Sequence, residues 1–226
     1  MLRFENVTVS YGNTFLIQNI TFQIDEHERV VLYGKSGSGK STILTTMVGA
    51  HIPTSGTVYF EDNAVSRSSI ERIRRTVSFI GQESVLGAEK TRDALLLPFS
   101  YKSHQGKTPS DEQIHHTLQN LQLDWSILEK DVAFLSGGEK QRIAIARALL
   151  LNKRIFLLDE VTSALDIESK RAVLNLFTRE RYTIVSVSHD SDWFRICSRF
   201  MKVENGMIAE ISKKPDPSMF VVSGEN

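Results

Sequence analysis

Apolar and polar residues alternate along the first part of the chain, from Leu2 to Asp25. The apolar members of this pattern are Phe4, Val7, Val9, Ile20, Phe22 and Ile24. Alternation with a period of two is typical of half-buried antiparallel strands, and Gly12-Asn13 lies where a turn between them is expected. The pattern therefore predicts an antiparallel β subdomain at the start of the chain.

Short apolar runs then recur, with helical patterns between several of them. The runs are Val30–Tyr33, Thr57–Phe60, Val77–Ile80, Ile155–Leu158, Thr183–Val187 and Phe200–Val203. Continuous runs of this length suit buried strands, including parallel ones. Strands that alternate with helices indicate an α/β fold.

The stretch from about Glu83 to Leu135 differs from the rest of the chain. It contains no convincing buried strand, and Pro98, Gly106 and Pro109 interrupt it. Helical spacing appears at Ile114, Leu118, Leu121 and Leu123. We predict a helical insertion over residues 83–142, within a core formed by residues 1–82 and 143–213, and a loosely ordered tail at 214–226.

Composition narrows the class of protein. The 226 residues carry 27 basic and 27 acidic side chains, so there is no overall field that would gather nucleic acid, and we expect no nucleic-acid partner. Cys197 cannot form an internal disulfide, and the first residues lack a secretory pattern, which indicates a reducing, cytoplasmic setting. No run approaches the ~18 apolar residues of a membrane-spanning helix.

A glycine-rich segment follows the apolar run Val30–Tyr33 and precedes a helical pattern. It reads Gly34, Lys35, Ser36, Gly37, Ser38, Gly39, Lys40, Ser41 and then Thr42. This order fits G-x-x-x-x-G-K-[ST], in which backbone N–H groups and a helix N-terminus surround a phosphate. Lys40 is then expected to reach the β- and γ-phosphate oxygens of ATP, and Ser41 to bind Mg²⁺. The alternative is a flexible Gly/Ser linker.

Two carboxylates end the apolar run Ile155–Leu158. Asp159 and Glu160 follow it directly, and the carboxyl end of such a strand lies beside the glycine-rich loop in a parallel sheet. Asp159 is expected to hold Mg²⁺, and Glu160 to orient and deprotonate the attacking water. A solvated strand end or a helix N-cap is the alternative for this pair.

The segment Leu135-Ser136-Gly137-Gly138-Glu139-Lys140-Gln141-Arg142, here called the signature segment, decides among nucleotide-hydrolysing families. Ser136 is placed to cap a helix, and the two glycines leave N–H groups open to an anion. The octet resembles the signature of ATP-binding-cassette (ABC) proteins. The resemblance implies that Ser136, Gly137 and Gly138 contact the ATP held by a second copy, so that two copies enclose two ATP molecules head to tail. Taken alone, the segment could be only a cap and a turn.

Four further positions resemble the same family. Tyr11 resembles the aromatic residue that stacks on adenine, although a strand core residue is the alternative. Gln82 resembles the glutamine that contacts Mg²⁺ and the attacking water, and His189 the histidine that contacts the γ-phosphate. Asp166, in Ser163-Ala164-Leu165-Asp166, resembles the loop that crosses the dimer interface.

The resemblance spans about Leu2 to Ile211 and implies a Mg²⁺-dependent ATPase whose P-loop NTPase core contains a mixed sheet. It also implies a transporter subunit on the cytoplasmic face of the plasma membrane, driving an integral membrane permease. Asp93-Ala94-Leu95-Leu96-Leu97-Pro98-Phe99 and the stretch around Asp159 look most like small bacterial iron or metal exporter subunits. Lipoprotein-releasing motors, macrolide-export motors and amino-acid importer motors share nearly all of these residues and are the alternatives. Val85, Leu86, Leu95–Leu97 and Phe99 of the insertion either line a groove for the permease or pack the insertion itself.

Two other classes of function remain as alternatives. A cassette ATPase of a cytoplasmic assembly, such as one supporting iron–sulfur cluster biogenesis, needs no membrane partner. A chromosome-organising or repair ATPase would carry long heptad repeats or zinc modules, and neither appears in the sequence.

Overall fold

A computed structural model describes residues 1–66, 68–104 and 106–215 of the chain, with every side chain there except that of Ser103. These residues form two compact units. The first consists of Met1–Phe79, Arg154–Glu160 and the chain from Arg181 onward, and the second of Ile80–Lys153 and Val161–Glu180. The insertion predicted over residues 83–142 falls inside the second unit.

Ten strands and seven α-helices are present in the described residues. The strands are β1 (Leu2–Tyr11), β2 (Thr14–Ile24), β3 (Arg29–Tyr33), β4 (Ser55–Phe60), β5 (Asn63–Ala64), β6 (Val77–Ile80), β7 (Ile155–Asp159), β8 (Thr183–Val187), β9 (Arg199–Glu204) and β10 (Met207–Ser212). The helices are α1 (Lys40–Met47), α2 (Ile70–Thr76), α3 (Thr91–Leu96), α4 (Asp111–Asn120), α5 (Gly137–Leu150), α6 (Ile167–Arg179) and α7 (Ser191–Phe194). Short 3₁₀ helices occupy Leu97–Ser100, Lys102–His104, Trp125–Glu129 and Val132–Phe134.

The first unit contains two sheets. One has the strand order β2-β1-β4-β5, and its β1–β2 and β1–β4 pairs are antiparallel. The other has the order β10-β9-β3-β8-β7-β6, in which β9, β3, β8 and β7 are parallel neighbours and β10 is antiparallel to β9. This confirms the predicted α/β fold with an antiparallel N-terminal sheet and a mixed sheet.

Apolar side chains of both sheets and of α1 share one core. Phe4 and Phe22 stack across the β1–β2 pair, with ring centroids 4.7 Å apart. Val30 and Leu32 of β3 and Ile43 and Leu44 of α1 belong to the same cluster and are fully buried. The core therefore fixes the strand and helix on either side of the glycine-rich segment.

The second unit is helical, because its apolar residues recur at helical spacing. Helices α3 and α4 pack against α5, and Ile114 and Leu118 of α4 are buried as the spacing predicts. Of the apolar residues assigned either to a groove or to a core, Leu86, Leu95 and Phe99 are buried, whereas the side chain of Val85 is 80% exposed. Leu86, Leu95 and Phe99 therefore pack inside the insertion, and the permease groove stays a prediction for Val85.

Strands β5 and β10 and helices α2 and α7 fall outside the sequence prediction. Strand β10 was not predicted, although Asn205-Gly206 between two strand-like runs is a strong hairpin signal. Helices α2 and α7 were also missed, because neither is long enough to show a clear period. The tail predicted at 214–226 lies outside the described residues beyond Pro215.

Candidate active site

Strand β3 and helix α1 hold the two ends of the glycine loop, Gly34–Gly39. Val30, Val31 and Leu32 of β3 are fully buried, as expected for a central parallel strand. Gly39 occupies the N-cap of α1 with φ = 102° and supplies no side-chain cap. Since the first N–H groups of a helix lack intrahelical acceptors, those of Lys40, Ser41 and Thr42 are available to a ligand.

Backbone oxygens of neighbouring strands lie so close to two positions of the loop that only glycine fits there. Gly34 has φ = 140°, and a Cβ there would lie 2.2 Å from the Val203 carbonyl oxygen. A Cβ at Gly39 would lie 2.8 Å from the Leu16 carbonyl oxygen. Side chains are therefore excluded at both positions, and the loop stays close to the sheet below it.

Lys40 and Ser38 place two buried polar groups in the loop. The Lys40 side chain donates hydrogen bonds from Nζ to the carbonyl oxygens of Gly34 and Lys35, each at 2.8 Å. Burial lowers the pKa of the Lys40 ammonium, while Glu160 and Asp159 act in the opposite direction. The Ser38 hydroxyl is buried and has no partner among the described residues. An ammonium, an unpaired hydroxyl and open N–H groups together form a cradle for a phosphate.

Strands β7 and β8 carry three polar residues at their carboxyl ends. Asp159 ends β7 and is 8% exposed, and Glu160 follows with its N–H bonded to the Val187 carbonyl oxygen at 3.0 Å. Glu160 Oε1 lies 3.8 Å from His189 Nε2. The structure thus brings the predicted carboxylates and histidine together with the glycine loop in the first unit.

Glu160 adopts an unusual backbone conformation, with φ = 50°. A left-handed residue other than Gly costs of order 1 kcal/mol or more and persists where the surroundings enforce it. Here the bond to Val187 belongs to the register of adjacent strands, so the backbone of this carboxylate is fixed by the sheet.

Tyr11 lies at the β1–β2 hairpin, opposite Thr14. Its side chain is 84% exposed. The alternative of a strand core residue is therefore wrong, and the ring is available to stack on a planar ligand.

In the second unit, the signature segment forms the start of helix α5. Ser136 is the N-cap, and its hydroxyl accepts from the Glu139 N–H at 3.1 Å while the Glu139 carboxylate accepts from the Ser136 N–H at 2.7 Å. The cap leaves the N–H groups of Gly137 and Gly138 without intrahelical acceptors. Sequence reasoning foresaw the Ser136 cap but missed Glu139, although S-x-x-E is the pattern of a capping box.

Gly138 also contacts the loop that contains Asp166. A Cβ on Gly138 would lie 2.8 Å from the Ala164 carbonyl oxygen. Asp166 caps α6, and hydrogen bonds from the Ser169 N–H and hydroxyl lower the pKa of its carboxyl group. The predicted interface loop and the signature segment are thus in direct contact within one chain.

Gln82 lies in the second unit, two residues after the end of β6, and its side chain is exposed. Buried Gln141 of α5 bonds to residues on both sides of Gln82, a connection that sequence reasoning missed.

In the described residues, no group of three or more His, Cys, Asp or Glu side chains could hold a metal ion. No helix of residues 1–66, 68–104 and 106–215 is long and apolar enough to cross a membrane.

Comparison with known families agrees with this arrangement. A family model described as "ABC transporter" matches residues 17–163, from β2 to the loop after β7. The chain belongs to the ABC transporter family. It is accordingly an ABC ATPase, which binds ATP and hydrolyses it as a transporter subunit.

The chain is also similar to individual ABC proteins and to a solved ABC cassette structure. The chain is 36% identical over 196 residues, 85% of its length and 86% of the relative's, to FetA of Escherichia coli K12, named a "probable iron export ATP-binding protein". It is 31% identical to the mitochondrial permease MDL2 of Saccharomyces cerevisiae, of which it spans 29%. The structure matches the dimeric ABC cassette MJ0796 bound to ADP and Pi, with a TM-score of 0.84, 30% identity and coverage of 94% and 98% of the two chains.

Proposed function

We propose that this ABC ATPase binds Mg-ATP in the glycine loop, dimerises head to tail around two nucleotides, and drives a separate membrane permease. The observation that carries the proposal is the joint placement of Lys40, Ser38 and Glu160 at the carboxyl ends of the parallel strands β3 and β7. The loop supplies the phosphate cradle, and Glu160 supplies a general base.

Phosphate binding follows from the unsatisfied groups of the loop. Lys40 already lies inside the loop, where its ammonium bonds two carbonyl oxygens. A triphosphate offers stronger, charge-assisted acceptors to this group. The Ser38 hydroxyl gains its missing partner from the same ligand. Exposed Tyr11 is then available to stack on the adenine base.

The donor set at the loop also suits Mg²⁺. The Ser41 hydroxyl begins α1, and the Asp159 carboxylate ends β7. Hydroxyl and carboxylate oxygens are the hard ligands that Mg²⁺ takes beside phosphate. We assign Ser41, Asp159 and Gln82 to the ion, which when bound neutralises charge on the phosphate oxygens.

Hydrolysis needs a base and an orienting group. Glu160 takes the proton of a water whose oxygen attacks the γ-phosphorus, while the bond from that phosphorus to the β–γ bridging oxygen breaks and ADP leaves. His189, 3.8 Å from Glu160 Oε1, is placed to orient this carboxylate and to contact the γ-phosphate. The sheet holds the Glu160 backbone, so the base is positioned before the nucleotide arrives.

Dimerisation accounts for the signature segment. The α5 N-terminus presents the Gly137 and Gly138 N–H groups and the positive end of the helix dipole. We assign this end, with Ser136, to the γ-phosphate of the ATP held by a second copy, and Asp166 to the same interface. The dimeric state of the similar cassette MJ0796 with ADP and Pi supports the assignment.

A permease partner and metal export rest on the relatives. FetA carries "iron export" in its name and is covered over most of its length. In this chain Val85 and Tyr101 of the second unit are exposed to 80% and 56%, which gives a permease apolar contacts. We therefore propose a location on the cytoplasmic face of the plasma membrane and iron or another metal ion as the cargo.

The deciding experiment is an affinity pull-down of the tagged protein from detergent-solubilised membranes, with partners identified by mass spectrometry. Recovery of a multi-span membrane protein supports the proposal, and deletion of that partner's gene should then raise cellular iron. Recovery of soluble assembly proteins alone would favour a cytoplasmic assembly ATPase, such as one for iron–sulfur clusters, and would contradict the permease.

A further inference from the structure

Buried Gln141 joins helix α5 to the chain segment that carries Gln82. Its Nε2 donates to the Gly81 carbonyl oxygen at 3.3 Å, and its Oε1 accepts from the Ser84 hydroxyl at 2.5 Å. The carbonyl can only accept, so the amide nitrogen must face Gly81 and the amide oxygen must face Ser84. Gln141 thus bonds one residue on each side of the Gln82-Glu83 pair.

The segment that Gln141 bonds has no regular structure of its own. Residues 81–88 form neither helix nor strand, so no ladder of backbone hydrogen bonds fixes their course. Gln141, in contrast, lies on a 14-residue helix and is 2% exposed. An amide buried at this depth, with a donor and an acceptor both satisfied, imposes a defined geometry on its partners.

A second side chain of α5 extends the attachment. Arg147, six residues after Gln141 on the same helix, donates to the Leu86 carbonyl oxygen at 3.0 Å. The chain from Gly81 to Leu86 is therefore bonded to α5 at three points. Ser136 caps the same helix, so the signature segment and the Gln82 segment are parts of one hydrogen-bonded element.

We propose that Gln141 is a positioning residue for ATP hydrolysis, which holds Gln82 in place by bonding Gly81 and Ser84 to the helix of the signature segment. The inference rests on the role assigned above to Gln82 at Mg²⁺ and the attacking water. Gln141 is buried and bonds Gly81 and Ser84, so we assign it no contact with the nucleotide or the ion. Its loss should therefore act on the chemical step and on Mg²⁺ dependence, and leave nucleotide binding without Mg²⁺ unchanged.

The test variant is Gln141→Met, which keeps the length of the side chain and removes both hydrogen bonds. We expect kcat to fall by roughly tenfold to a hundredfold, the order found when a remote change displaces a catalytic group by about 1 Å. The Mg²⁺ concentration for half-maximal activity should rise several-fold. The ATP affinity measured in EDTA should change by less than about twofold. Gln119→Leu, a change on the exposed face of α4, is the control.

Ser84→Ala removes the hydrogen bond from the Ser84 hydroxyl to Gln141 while leaving Gln141 in place. This variant tests the inference if Gln141→Met folds poorly. Residues that share a bond give non-additive effects, so the double variant should be no worse than Gln141→Met alone. Hydrogen–deuterium exchange gives a readout without nucleotide, since peptides covering residues 81–86 should exchange faster in either variant.

Two outcomes overturn the inference. One is wild-type kcat and Mg²⁺ dependence in both variants. The other is a fall in kcat that follows the melting temperature with Mg²⁺ dependence unchanged, which is the result of a purely structural role. Failure of the unaltered protein to hydrolyse ATP would instead contradict the proposed function. In that case, unchanged exchange at residues 81–86 would still overturn the bonding role of Gln141.

Discussion

His189 Nε2 lies 3.8 Å from Glu160 Oε1, at the carboxyl ends of two neighbouring parallel strands. Glu160 follows directly on β7, and its N–H bonds the Val187 carbonyl oxygen of β8, while His189 lies two residues after the end of β8. The Glu160 carboxylate therefore reaches its position without a bound nucleotide. Its chemical contribution can be removed with little change to the fold.

Glu160→Gln should lower ATP turnover by about a hundredfold to ten-thousandfold, the contribution of a positioned general base. The amide keeps the size of the carboxylate, so nucleotide binding should survive and an ATP-bound dimer should accumulate. Light scattering after size exclusion with ATP measures this dimer. Glu210→Gln, at an exposed position of β10, is the control. A variant that stays monomeric with ATP would contradict the head-to-tail dimer.

Lys40→Ala should weaken ATP binding by roughly a hundredfold, because charge-assisted hydrogen bonds of the ammonium to phosphate are lost. Titration with a fluorescent ATP analogue measures the loss, and the melting temperature shows whether the fold is retained. Lys102→Ala removes an exposed charge elsewhere and should bind as the unaltered protein does. Equal affinity of Lys40→Ala and the control would refute the assignment of the glycine loop.

Gly138→Ala should destabilise the protein by about 1–3 kcal/mol, because its Cβ would lie 2.8 Å from a backbone oxygen of Ala164. Gly137→Ala is a matched control, since its Cβ would meet only the Ala164 Cβ, at 3.7 Å. Chemical denaturation measures both. We also expect turnover to fall more in Gly138→Ala, because the contact displaces the signature segment. Equal unfolding free energies of the two variants would show that the signature segment and the loop containing Ala164 separate without loss of stability.

Stability should depend on pH through Lys153. Burial, with a smaller contribution from Lys107, lowers the pKa of Lys153 from 10.5 to about 8. Between pH 8 and 10.5 the unfolded chain binds this proton and the folded chain does not, so folding becomes more favourable as the pH rises. Between pH 8 and 10.5, the unfolding free energy of the unaltered protein should rise by about 1–3 kcal/mol relative to that of Lys153→Met, which lacks the titrating group. A constant difference would contradict the depressed pKa.

Local spacing explains what the sequence could predict. The glycine loop, the carboxylates after β7 and the Ser136 cap each depend on residues within one turn or one strand end, and the fold class follows from the runs between them. Of the neighbouring residues Val85 and Leu86, one is exposed and the other buried, which depends on packing that a period cannot show. The bond of Gln141 to Gly81 joins residues 60 positions apart, and no spacing rule reaches that far. The roles of Tyr11, Gln82, Asp166 and His189 stay predictions.

Helix α5 bonds the inserted residues mostly through their backbone. Arg147 donates to the Leu86 and Ala94 carbonyl oxygens, and Arg142 to those of Leu121 and Gln122. Every residue carries a carbonyl, so these bonds are indifferent to the side chains at the bonded positions. Substitution of exposed side chains in the insertion should accordingly leave these bonds to α5 in place. The outer surface of the insertion can therefore change by substitution alone, without any change in helix α5.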